Sequence, residues 1–415
     1  MGKRRKEKNV LLLSSRYGIS NSANAICVKN IATELQSRGY TVVVLTSSGN
    51  NNDEEFVNDG VKVYALKQAW YSKLLNEQMQ NNLMINRIWF KFISFFRRII
   101  NIFLYPNVSP FRAKRVLKKA IHIVQSHDIS TVISTYRPFE NVYTAIRLSK
   151  KFGSELTIFD FQLDVLFESN VKSSLLKKIL KAKTKNVIIT ETKRLKRVVL
   201  PESAESLYRG TPRICFAGFP VYVPDASKEV SSFEYDRSFI NISYIGSLSI
   251  ENRNPKNAFS FISKVNERIS RKCRIHIWGN IDTAIKNIID RYDFVMYHGL
   301  IDNKFVMDLL ERSDFLLNIS NEVTYNMLPS KIFQEFAAKR PIINFVKNRA
   351  DMSVPFFVKF GYAINIYEED MDKLNIDEIA NRIIRLEKQP ISAPSEMLTK
   401  YTPSYFVDMI ERDLQ

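Results

Sequence analysis

Glycine, cysteine and histidine are scarce in this chain. Only 12 of its 415 residues are glycine, and no G-x-x-x-x-G-K-[ST], G-x-G-x-x-G or G-x-S-x-G pattern occurs. Those absences remove support for a P-loop ATPase, a nicotinamide dehydrogenase and a serine hydrolase built on a nucleophile elbow. Three cysteines, Cys27, Cys215 and Cys273, are scattered without a C-x-x-C pair. Neither a disulfide scaffold nor a zinc ribbon is expected, and a reducing, cytoplasmic setting is. The four histidines show no H-E-x-x-H spacing, and His276 in "RIHIWG" alternates with apolar residues as a packed strand residue does. No uncharged run reaches the length of a membrane-spanning helix. The apolar run Val10 to Leu13 is too short for a signal-peptide core.

Acidic residues are missing from a whole stretch. Between Arg87 and Lys119 there is no Asp or Glu. Residues 1–220 hold 36 Lys and Arg against 16 Asp and Glu, whereas residues 221–415 hold 25 against 27. All of the +18 net charge therefore lies in the first half. Such a half implies a polyanionic partner, nucleic acid or an acidic membrane surface. Within it, "RIWFKFISFFRRIINIFLY" (87–105) gathers Arg87, Lys91, Ser94, Arg98 and Asn101 on one helical stripe amid aromatic and aliphatic residues. Five cations follow between Arg112 and Lys119. A basic amphipathic helix of this kind suits a membrane interface, with rings at the acyl boundary and cations at phosphate level. A core helix with a solvated polar stripe also fits. Aromatics gathered on one helix favour lipid over single-stranded nucleic acid.

What the chain does contain is a β-α-β rhythm, repeated. In the first half, strands are expected at 9–14, 41–47, 130–135, 155–161 and 186–190, with a helix from "ANAICVKNIATELQS" closed by Gly39. In the second half they are expected at 241–247, 274–279, 294–299, 315–320 and 341–345. The fold class is α/β: two Rossmann-like, doubly wound parallel-sheet domains facing a central cleft. The expected division is a domain at 1–220 with a membrane-facing segment at 86–119, a linker at 221–238, and a second domain at 239–400. A helix at 401–415 is expected to pack back on the first domain.

Four stretches sit at strand carboxyl ends, where open parallel sheets bind ligands. "YIGSLSIENRNPKN" carries Gly246, Ser247, Arg253 and Lys256; "IWGN" and "YHGL" end in glycine turns. "NMLPSKIFQEFAAKRPIINF" (326–345) places Leu328, Pro329, Ser330 and Lys331 before or at a helix start, with the helix expected over 330–338. Pro329 suits the first turn, and Ser330 is a capping residue. Cations with exposed helix amides suit a diphosphate. Gln334, one turn along, is placed to bind ribose hydroxyls. Asp370–Met371–Asp372 reads as a solvated or capping run, so no metal site is expected.

These motifs, in this order, resemble the donor domain of retaining, two-domain (GT-B) glycosyltransferases of the family-four type, best known from bacterial surface-polysaccharide biosynthesis. "SSRYGISNSANAICVKNIATELQSRGYTVVVLTS" is similar to the family's first β-α-β unit, with its loop glycine reduced to Gly18. Residues 133–166 resemble its mid-domain stretch, which ends in a cleft aspartate. The resemblance implies a nucleotide-sugar donor, a lipid-linked or polysaccharide hydroxyl acceptor, no metal and no cofactor. It implies Asp164 at the reaction centre, with Asp160 second, and Lys256, Arg253 and Pro329 to Lys331 on the leaving diphosphate. Gln334 and Glu335 fall to the ribose, and Asn326 and Glu322 to the sugar. The family's paired acids are here the amides Asn326 and Gln334, and its strand-end arginine is Ser247. The expected location is cytoplasmic, peripheral on the inner membrane face. A nucleotide-sugar epimerase on the same fold, and a non-enzymatic membrane or polyanion binder, are the alternative readings.

Overall fold

The computed structural model describes residues 8–15, 17–18, 23–48, 50, 52–67, 103–106, 109–136, 138–162, 174–223, 229–321, 328–392 and 395–414. Two compact units emerge, Met1–Val221 with Lys400–Gln415, and Tyr222–Thr399.

The first unit holds β1 (Asn9–Leu13), β2 (Thr41–Ser47), β3 (Glu54–Asn58), β4 (Val61–Leu66), β5 (Thr131–Tyr136), β6 (Thr157–Gln162), β7 (Arg197–Pro201) and β8 (Ile214–Ala217). They form one sheet in the order β3-β4-β2-β1-β5-β6-β7-β8. Every pairing is parallel except β3 with β4. Continuous apolar runs such as "VLLL" and "VVVL" suit strands covered on both faces. The helix Ala23–Ser37 ends in a paired 6→1 and 5→2 cap: Tyr40 N–H donates to the Leu35 carbonyl (3.0 Å) and Gly39 N–H to Gln36 (2.9 Å). Gly39 takes the left-handed φ of 79° that this cap requires. The terminal helix Pro403–Leu414 lies against Ala23–Ser37, where Arg38 donates to Asp408 (2.5 Å) and Glu411 (2.8 Å).

Residues 186–189, expected as a strand, instead close the helix Ser174–Ile189. Among its described side chains Leu180, Thr184, Val187 and Ile188 are buried, a helical spacing that an isolated "NVII" conceals. The strand role passes to β7. The hairpin β3–β4 turns on Asp59 (φ 49°) and Gly60 (φ 75°), the two left-handed positions of a two-residue turn.

The second unit holds β9 (Ile240–Ile245), β10 (Cys273–Trp278), β11 (Val295–Tyr297), β12 (Phe315–Ile319), β13 (Ile342–Val346) and β14 (Ala363–Tyr367). All pairs are parallel, in the order β11-β10-β9-β12-β13-β14. One sheet face packs Phe315, Leu317, Ile319, Ile343 and Phe345 against the helices Lys256–Asn266 and Ile376–Glu387. In-register asparagines cross the sheet: Asn318 Nδ2 donates to Asn344 Oδ1 (2.7 Å), and Asn344 Nδ2 to Asn365 Oδ1 (2.8 Å). The strand order reverses between β9 and β12, because β10 and β11 add to one side and β13 and β14 to the other. That reversal opens a crevice at the carboxyl ends.

Candidate donor site

The crevice edge starts with two glycines. A Cβ at Gly279 would stand 2.2 Å from the Gly246 carbonyl oxygen, so the β9 and β10 ends approach too closely for any side chain. Gly246 N–H donates to the Trp278 carbonyl (2.8 Å), and Gly279 N–H to that of Gly299 (2.7 Å). Beyond Gly246, Ser247 offers its carbonyl to the Tyr244 hydroxyl (3.1 Å).

Arg253 and Asn321 then bridge the reversal. Arg253, in the loop after β9, donates Nε–H to Asn321 Oδ1, just after β12, at 2.8 Å. Lys331 begins the helix Lys331–Ala337, and its ammonium lies 4.3 Å from the centre of the buried Tyr244 ring on β9. Its counter-charge is Glu335, one turn on, at 3.7 Å. The Lys331 Nζ and Glu335 Oε2 atoms are buried and have no hydrogen-bond partner among the described residues. Burial pushes the Lys331 ammonium below its ordinary range and the Glu335 carboxyl above its own. The Arg253 charge is felt at Lys331, Glu335 and Tyr244, which places all four in one electrostatic cluster.

Other expected residues stand apart. Lys256 is exposed on the first turn of its helix and makes no ion pair among the described residues. Leu328, Pro329 and Ser330 are half-buried at the crevice. The Ser330 hydroxyl caps nothing, since the residue already has helical angles; the Pro329 carbonyl accepts the Ile332 N–H at 3.3 Å. The helix has only seven residues, and the Lys331 side chain brings a cation to its start. Gln334 is half-buried, and its side chain makes no hydrogen bond among the described residues. Glu335 faces inward to Lys331 rather than outward. Asp370 pairs with Arg349 (2.8 Å) and Lys373 (3.8 Å), a solvated cluster.

In the first unit, Gly18 (φ 69°) lies in the turn after β1. Asp160 is fully buried and accepts from Ser134 Oγ (2.5 Å) and Gln162 Nε2 (2.9 Å); burial pushes its carboxyl up to about 6. It serves the sheet interior. Asp164, Glu322, Asn326 and all of 86–102 lie outside the described residues. Sequence reasoning passed over Tyr244 and Asn321, and only the position of Asn321 immediately past an apolar strand hinted at it. Arg112, one of the five cations that close the expected membrane-facing segment, lies beside Ser47 and the buried Glu140 (3.9 Å).

No protein-family model matches this chain, and no curated protein does. Solved structures do. An α,α-trehalose-phosphate synthase (UDP-forming) from Burkholderia xenovorans, in complex with glucose-6-phosphate, is 12% identical with a TM-score of 0.60, over 98% of this chain and 100% of that one. The E. coli trehalose-6-phosphate structure bound with UDP-2-fluoro glucose is 11% identical with a TM-score of 0.54, over 98% and 96%. A glycosyltransferase from Rickettsia africae is 12% identical with a TM-score of 0.54, over 99% and 100%. At such identities the likeness shows the fold, that of GT-B glycosyltransferases.

Proposed function

We propose that the protein is a glycosyltransferase that moves a hexose-type sugar from a nucleoside diphosphate to a hydroxyl of a lipid-linked or polysaccharide acceptor. The observation that carries this reading is the Arg253–Asn321 bridge with Lys331 at the β9/β12 reversal. Two cations converge where a doubly wound sheet binds nucleotides, and one of them has no hydrogen-bond partner among the described residues.

The reaction breaks the bond between the sugar's anomeric carbon and the diphosphate and forms one to the acceptor oxygen. Negative charge grows on the departing diphosphate. Arg253 meets that charge at the crevice edge and the buried Lys331 ammonium adds its field from beneath, both from fixed positions, which lowers the barrier more than mobile water dipoles do. Lys256, exposed on the first turn of the helix that follows the Arg253 loop, is assigned the third cation. Gln334 offers its amide to the ribose, the role that Glu335 gives up by pairing with Lys331. Retention of configuration, with the acceptor's proton passing to the departing phosphate, completes the reading. The residues present supply the charge neutralisation without a metal.

The acceptor side is read from the first unit. On the helix Pro110–Ser126, Phe111 is 85% exposed, and Lys114 and Lys118 are exposed on the same face. Arg115 and Lys119 instead pair with Asp53 and Glu55, so they are spent within the fold. One ring flanked by two cations suits the headgroup level of an anionic membrane on the cytoplasmic side. The test is transfer itself. Nucleotide sugars are incubated with the protein and bacterial lipid-linked glycans, and release of nucleoside diphosphate is followed alongside the sugar content of the lipid. Release coupled to lipid glycosylation supports the reading, and a free epimerised nucleotide sugar contradicts it.

A further inference from the structure

Two histidines that the donor chemistry does not use are joined, His276 within β10 and His298 just past the carboxyl end of β11. Asn241 begins the relay. Its Nδ2 donates to the carbonyls of Asp236 (3.0 Å) and Phe239 (3.1 Å) and to Asp314 Oδ2 (3.3 Å), so its Oδ1 must face the other way. There it lies 3.0 Å from His276 Nε2. A carboxamide oxygen only accepts, so His276 carries its proton on Nε2. The other nitrogen of His276, Nδ1, is then an acceptor, and it lies 3.0 Å from His298 Nε2. His298 therefore carries its own proton on Nε2, and its Nδ1 holds a lone pair. That nitrogen has no hydrogen-bond partner among the described residues.

The ring is also held in place. His298 stacks on Trp278 (4.7 Å between centres, 23° between planes) and meets the edge of Phe233 at 4.8 Å. Its backbone N–H donates to the Ile277 carbonyl at 2.9 Å. His276 is buried, while His298 is open to solvent on one side. Burial drives the His276 imidazole down to about 4 and lowers that of His298, so both are neutral near pH 7 and the tautomers stand. The position matters as well. β11 lies two strands from β9, roughly 10 Å from the cationic reversal. That is about the reach of a nucleoside from its diphosphate.

We propose that the Asn241–His276–His298 relay makes His298 Nδ1 a fixed hydrogen-bond acceptor that selects nucleobases presenting a ring N–H. The inference rests on the donor-site reading and refines it to the class of base. Uracil, thymine and guanine carry an imide or lactam N–H. Cytosine and adenine present a ring lone pair at the corresponding place, which sets acceptor against acceptor. Once a base covers the ring, a mismatch of this kind leaves polar groups unpaired away from water, and such sites discriminate strongly. His298 is the specificity-determining residue, and His276 is a positioning residue that fixes its tautomer.

The test is calorimetric titration of the full chain with UDP, dTDP, GDP, CDP and ADP. Wild type, His298→Phe and His276→Phe are compared, with melting profiles confirming that each variant folds. One of UDP, dTDP or GDP is expected to bind at least tenfold tighter than CDP and ADP. His298→Phe keeps the stacking surface but is expected to lose about tenfold for the preferred nucleotide and none for CDP. His276→Phe is expected to narrow the same ratio, which a merely structural loss would leave intact. Preference for CDP or ADP, or an unchanged ratio in His298→Phe, overturns the inference while the donor site stands. Failure of wild type to bind any of the five removes both. An independent readout is the imidazole nitrogen NMR spectrum of the free protein, where both histidines are expected as Nε2–H tautomers. An Nδ1–H tautomer at His298 contradicts the relay outright.

Discussion

Lys331 and Glu335 stand one helical turn apart, 3.7 Å between Nζ and Oε1, sealed beneath the edge of the candidate donor crevice. The ammonium also faces the Tyr244 ring, and the Arg253 charge acts on it. A buried pair of this kind is held by mutual attraction against the cost of leaving water. Removing one member leaves an uncompensated buried charge.

Glu335→Ala is therefore expected to lower stability by about 3 kcal/mol, and Lys331→Met/Glu335→Leu to recover most of it. Urea unfolding of the two variants measures both values. Equal losses in the single and double variants would show that the pair contributes packing alone.

The buried histidine gives the acid limb of stability. His276 has a folded value of about 4, below its ordinary 6.5. Between those values the unfolded chain binds more protons, so stability rises with pH there and is lost on acidification. Burial is the main cause, and the Arg274 charge and any proton on His298 add to it by disfavouring a positive charge on the ring. Asp160 acts in the opposite sense, since its raised value lets the folded state hold the extra proton. Comparing wild type with His276→Gln isolates the histidine. The wild-type melting temperature is expected to fall more steeply from pH 6.5 to 4 than that of the variant. Parallel curves contradict the assignment.

The asparagine ladder is a third target. Asn344 accepts from Asn318 and donates to Asn365, with all three positions in register. Asn344→Ala strips both bonds and is expected to cost about 2–4 kcal/mol, because buried amide groups lose their partners. Equilibrium denaturation reads this directly, and a loss under about 1 kcal/mol would mean that water repairs the ladder.

Much of this architecture is legible in the chain before any coordinates. The alternation of apolar runs with amphipathic stretches gives both parallel sheets, and Gly39 marks its helix end. Where the reading slips, the physical cause is local. "NVIIT" is apolar enough to suit a strand or a helix, and only its tertiary burial pattern decides. The β3–β4 hairpin was missed although Asp59-Gly60 is a strong turn signal, because charged Glu54 and Glu55 mask the alternation. At the site, Arg253 and Lys331 follow from cations placed at strand ends. Asn321 and Tyr244 do not, since their roles exist only once β9 and β12 lie side by side. The missing Ser330 cap follows from a chain that turns helical one residue early.

Nucleoside-diphosphate binding tests the central claim most directly. Wild type, Arg253→Gln and Lys331→Met/Glu335→Gln are heated with UDP, GDP, CDP, ADP and dTDP in a chelating buffer. A ligand present at a hundred times its dissociation constant adds about 2.7 kcal/mol of stability. The account predicts that at least one nucleotide raises the wild-type melting temperature and that both variants lose most of the shift. No shift with any nucleotide, or an equal shift in all three proteins, would contradict a donor site at the β9/β12 reversal.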